Sequence, residues 1–223
     1  MLRLSGLLFL ALTVACAFGQ TAKERAMQQK QLYDQGAIGK KELRKAYREM
    51  HAEELNEKLA RLIGLQKEGA ASQWEVEHAS AQAVSDMANF DWNTARDEYQ
   101  DTVQMAKNGV VSRIDVLKAN SAHKSATYNW QTARLRVAEI ELADLDAKYK
   151  TGEASKETVN AKRKQIAEHH AAIDAAKLEK NRALLQEGTA MVDYVKAQVD
   201  AGEATQEELE KARSRLAAIR SAG

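Results

Sequence analysis

Small and aliphatic side chains recur along this chain at steps of three and four residues, and Lys, Arg, Glu, Gln and Asp fill the positions between them. One stretch reads Ala119, Ala122, Ala126, Trp130, Ala133, Val137 and Ile140. An α-helix places such positions on one side, so the pattern predicts amphipathic helices. No alternating apolar run is long enough to predict a strand. The expected fold class is all-α: long antiparallel helical hairpins in a coiled-coil-like bundle, with no β-sheet.

A second pattern divides the helices from one another. A turn signature occurs five times, at Gly36-Ala37-Ile38-Gly39, Gly69-Ala70-Ala71-Ser72, Gly109-Val110-Val111-Ser112, Gly152-Glu153-Ala154-Ser155 and Gly202-Glu203-Ala204-Thr205. Glycine ends a helix in the left-handed conformation. The Ser or Thr three residues later caps the next helix by accepting a backbone N–H bond. Glu75, Asp115 and Glu208 stand where an acid completes a capping box. Glu42 holds that place after Gly39, which has no side chain to cap with, and Thr158 replaces the acid in the fourth copy. An aliphatic residue follows each time: Leu43, Val76, Val116, Val159 and Leu209.

The five glycines are 33, 40, 43 and 50 residues apart, too uneven for a fixed-period solenoid. The turns predict helices near 21–35, 40–68, 73–108, 113–150, 156–200 and 206–221, forming a single domain over residues 20–223. Gly188 lies inside the fifth and predicts a bend or break there. Turns this tight make consecutive helices antiparallel neighbours. Alternate turns then share an end: Gly69 with Gly152, and Gly36 with Gly109 and Gly202.

Composition supports the same picture. Proline is absent, and only 5 % of the residues are aromatic. Nothing therefore interrupts long helices, and the chain can fill a thin Ala-rich seam but not a thick core. The first residues read separately. Arg3, an apolar run from Leu7 to Val14 and the small residues of Ala17-Phe18-Gly19 look like a secretory signal cleaved near Gly19. A lipid anchor on Cys16 is the rival reading. Cleavage leaves 32 basic and 32 acidic residues and no cysteine. A disulfide within the mature chain and a strongly basic nucleic-acid surface are thereby excluded. No later run approaches the roughly 20 apolar residues of a membrane helix. The expected location is periplasmic, or secreted, with any membrane association indirect.

Two turns resemble known hairpin tips. Gly109 through Ser112, Asp115, Val116, Leu117 and Ala119 resembles the periplasmic tip motif of TolC-type outer membrane efflux proteins. Arg61, Leu65 and Ser72 stand at the spacing of the tip motif of periplasmic adaptor (membrane fusion) proteins, with the small residue Ala79 following. The resemblance covers the hairpins only, because the β-rich parts of both families have no counterpart in this chain. It implies a hairpin-only relative that docks through its tips, with Arg61, Leu65 and Ser72 at one turn and Ser112, Asp115, Val116 and Leu117 at another. Trp74, two residues past a cap, reads separately as a lid over the end of the bundle seam or as an aromatic anchor for a partner. The expected partners are envelope proteins, or further copies of the chain packed side by side. The alternative is a free-standing periplasmic coiled-coil chaperone or scaffold.

Candidate chemistry is sparse. Glu75-Val76-Glu77-His78 contains one Glu-x-x-His, a unit that di-iron bundles use twice. His51, His123, His169 and His170 all lack a Glu three residues before them, and Glu75 reads as a capping residue. His169 and His170 fall on two faces of a helix and read as surface residues. No phosphate loop, nucleophile elbow or cysteine cluster occurs. The expectation is a non-enzymatic protein without cofactor or metal.

Overall fold

The computed structural model describes residues 21–222; the expected leader, Cys16 and the cleavage site near Gly19 lie outside them. The described residues form six helices and no strand. These are α1 (Ala22–Asp34), α2 (Lys40–Lys67), α3 (Gln73–Lys107), α4 (Arg113–Thr151), α5 (Lys156–Asp200) and α6 (Gln206–Ala222). Every boundary falls within one residue of the place its turn signature predicts.

The physical reason is visible at each turn. Gly36, Gly69, Gly109, Gly152 and Gly202 all have φ between 71° and 80°, and among the described residues no other residue type has positive φ. A side chain at that φ clashes with its own backbone, which is why glycine stands there. The turn closes with bonds reaching back across the helix end, such as Ala70 N–H to the Leu65 carbonyl at 2.8 Å and Val110 N–H to the Met105 carbonyl at 2.9 Å. The next helix then opens on a capping box. Ser72 Oγ accepts from the Glu75 N–H at 3.2 Å while the Glu75 carboxylate accepts from the Ser72 N–H at 2.6 Å. Ser112 with Asp115, and Thr205 with Glu208, repeat the arrangement. Ser155 caps α5 without the reciprocal acid, and Gly39 makes no side-chain cap. Thr21 and Glu24 form a further box, on α1.

The described residues fall into two compact units, 21–83 and 84–222. In the first unit α1 packs on α2. Ala22 and Ala26 are buried there, and the Glu53 carboxylate from α2 accepts the Ala22 N–H at the start of α1. Ala46 and Ala81 are the other buried apolar residues of this unit.

The second unit is a run of antiparallel neighbours. Trp92 stacks on Trp130 and Tyr99 on His123, which sets α3 against α4 in reversed order. Lys162–Glu141 at 2.7 Å and Lys124–Glu179 at 3.6 Å do the same for α4 and α5. Glu187–Arg215 at 3.0 Å does it for α5 and α6. The Gly109 and Gly202 turns therefore share one end of this unit and Gly152 lies at the other, as the turn alternation predicts.

Three expectations about faces change. Ala122 of the α4 stripe is exposed, and its neighbour Ser121 is buried instead, because Ser121 is the residue that meets α5. Gly188 does not break α5, which runs unbroken for 45 residues. Gly188 is buried where α6 crosses: a Cβ there would lie 3.0 Å from Leu216 Cδ1 and 3.3 Å from Ile219 Cδ1. His169 is only 8 % exposed, so it belongs to the seam and not the surface, while His170 is exposed. The buried or half-buried positions of α5 run Val159, Lys162, Ile166, His169, Ile173, Ala176, Lys180, Ala183 and Glu187. Their alternating steps of three and four make a heptad seam, and His169 falls on it.

Candidate functional site

The residues expected at the two tips divide by the work they do in the structure. Ser72, Ser112 and Asp115 serve the turns. Besides the backbone caps, Ser72 Oγ donates to Glu75 at 2.8 Å and Ser112 Oγ to Asp115 at 2.7 Å. Hydrogen bonds from the caps hold the Glu75 and Asp115 carboxyls below their ordinary pKa: chiefly the Ser72 backbone N–H for Glu75, and the Ser112 hydroxyl for Asp115. Trp74 is half-buried and stacks on His78, one turn along α3, with ring centroids 4.9 Å apart. Glu75 of the Glu-x-x-His unit is thus a capping residue and His78 an aromatic neighbour. Among the described residues no group of three or more His, Cys, Asp or Glu side chains is placed to hold a metal ion.

Arg61 and Leu65 remain outward. They lie one helical turn apart at the C-terminal end of α2, and Leu65 is 45 % exposed beside the Gly69 turn. Arg61 makes no ion pair among the described residues. A long apolar side chain and a cation on one face at the end of a stiff helix form a small amphipathic contact surface. At the Gly109 turn the most exposed apolar group is Val110, at 69 %, which the tip motif does not single out. Val116 and Leu117 are half-buried.

The interior of the second unit holds two aromatic and polar assemblies that local patterning does not reveal. Trp92 and Trp130 stack at 4.6 Å, with Arg96 5.0 Å above one ring and Arg134 5.1 Å above the other. Each arginine sits four residues beyond its own tryptophan, so the helix repeat positions the cation over the ring. The second assembly joins three helices. Glu187 on α5 is 6 % exposed; its carboxylate accepts from the Ser121 hydroxyl of α4 and, at 3.0 Å, from the Arg215 guanidinium of α6.

Two imidazoles sit in the same seams. Burial, then the Lys124 and Arg96 charges, push His123 below its ordinary pKa. Its Nδ1 is buried with no hydrogen-bond partner. His169 is lowered by burial first, then by Arg134 and Lys162. Both are held neutral as parts of the packing.

No protein family, no curated protein and no solved structure matches this chain. Among the described residues no helix is long and apolar enough to cross a membrane.

Proposed function

We propose that this chain is a non-enzymatic helical-hairpin protein that works by docking. Its hairpin ends engage helical proteins of an exported, periplasmic assembly of the outer membrane efflux or secretion kind. The observation that carries this reading is the pair Arg61 and Leu65, one turn apart and outward-facing at a helix end whose backbone is tied off by the Gly69 turn. At that end Ser72 is engaged in capping and Trp74 is half-buried against His78, so this pair is what the end offers to a partner. The mechanism is geometric: a stiff α2 of 28 residues presents the pair, and a tight turn fixes its position.

The test compares wild-type protein with an Arg61→Asp, Leu65→Asp variant in pull-downs from the envelope fraction of the producing cell. Circular dichroism checks that both are equally helical. Loss of specific helical partners in the variant supports the reading. The same partners at the same yield from both proteins would defeat it.

A further inference from the structure

Helix α5 carries two outward leucines, one heptad apart, on a row beside its seam. Leu178, Arg182, Leu185 and Thr189 follow one another at steps of four, three and four, the spacing of a coiled-coil seam. No helix among the described residues covers this row: Leu178 is 61 % exposed and Leu185 36 %. It floors an open groove of about 1020 Å³, walled by the first turns of α4 through Ile114 and Leu117 and by the last turns of α6 through Ile219.

The rim is basic. Arg113, Arg182 and Arg220 line the groove against a single carboxylate, Asp193. Arg113 and Arg220 form no ion pair among the described residues. Arg182 reaches only its own-helix neighbour Glu179, at 2.9 Å with both side chains largely in solvent, a pairing of little strength. Arg113 also occupies the first position of α4, where a cation opposes the helix dipole. A carboxylate brought from outside adds to the one that Asp115 already sets at that helix start.

We infer that this groove is a docking site for an acidic amphipathic helix of a partner protein. Heptad spacing on the floor matches the knobs of another helix, and the rim calls for acidic residues beside its apolar stripe. The stretch from Leu178 to Asp193 rises about 22 Å, which about four turns of helix would cover. Neither Arg61 nor Leu65 takes part, so the groove and the tip reading stand or fall separately.

The full chain is titrated, by fluorescence anisotropy, into two labelled helical peptides of about three heptads with Leu at the seam positions. One has Glu at the flanking positions and the other Lys. The Glu peptide is expected to bind at least about tenfold more tightly than the Lys peptide, with affinity falling as salt rises. Leu178→Asp, at an exposed position, is expected to abolish binding, and Arg113→Glu with Arg220→Glu to reverse the preference. Equal binding of both peptides, no saturable binding, or no effect of either variant would overturn the proposal. So would peptide-free dimerisation that Leu178→Asp removes, which makes a second copy the occupant. Binding of phosphatidylglycerol vesicles, lost with the arginines, in a chain that ignores both peptides would assign the groove to a lipid surface and also overturn it.

Discussion

The Ser121 hydroxyl on α4 donates to the buried Glu187 carboxylate on α5, a bond between residues 66 positions apart. Arg215 on α6 takes the other carboxylate oxygen. Three helices are thereby held in one register by one acid. Arg215 is 61 % exposed, so the ion pair itself adds little, and the buried hydrogen bond matters more. Glu187→Ala should lower stability by about 1–3 kcal/mol in urea denaturation. Glu187→Leu should lower it less, because its side chain fills the buried space that alanine leaves empty. Equal losses for both would show that the polar node, not packing volume, sets the cost.

Gly188 lets α6 lie close to α5. Alanine there gains about 1 kcal/mol of helix propensity but sets a Cβ 3.0 Å from the flexible end of Leu216, so the two effects nearly cancel. A leucine has no such latitude. Gly188→Leu should release α6 while leaving α4 and α5 packed. Limited proteolysis should then cut within residues 203–222 first; unchanged protection of α6 would contradict the packing.

The stacked tryptophans should give a coupled signal in far-ultraviolet circular dichroism, lost in either Trp92→Ala or Trp130→Ala. Because both rings are half-buried, each truncation should cost about 2–4 kcal/mol, below the loss for a fully buried ring. Arg96→Ala should keep the coupled signal and cost at most about 1 kcal/mol.

Acid should weaken the fold in two stages. His123 and His169 have folded-state pKa values below the ordinary one, so the unfolded chain binds their protons more readily. Stability is then full above roughly pH 6.5 and falls as pH drops through that value toward the folded-state values. Glu75, Asp115 and Glu208 are also lowered, and their capping contribution is lost further down, as pH falls below the ordinary carboxylate range. His169→Leu should flatten part of the first stage of the urea midpoint against pH. An unchanged profile in that variant would remove His169 from the account.

Much of this structure is legible in the sequence because its boundaries are local. A left-handed glycine and, in four of the five turns, a Ser or Thr cap lie within a few residues of each other, so the turns can be read directly. The Thr21–Glu24 box has the same Thr-x-x-Glu spacing, yet follows no glycine turn and stands at the edge of the leader. His169 departs from the surface reading of the His169–His170 pair because the heptad through Val159, Ile166 and Ile173 places it inside, while His170 faces out. The aromatic pairs had a signal as well. Trp92 and Trp130 each stand nineteen residues from Val111, and Tyr99 and His123 each twelve, which is what an antiparallel hairpin turning there brings level. Ser121, Glu187 and the contact that Gly188 permits depend on how three helices cross, and no local pattern encodes that.

The docking claim is tested most directly by a photo-cross-linking residue placed at position 65, with one at exposed Lys164 as control, in cells producing the protein. The account predicts that position 65 cross-links to helical protein of the envelope assembly, that Arg61→Asp suppresses the adduct, and that position 164 gives none. Adducts of equal yield from positions 65 and 164, or none from position 65 in cells where the protein is abundant, would contradict it.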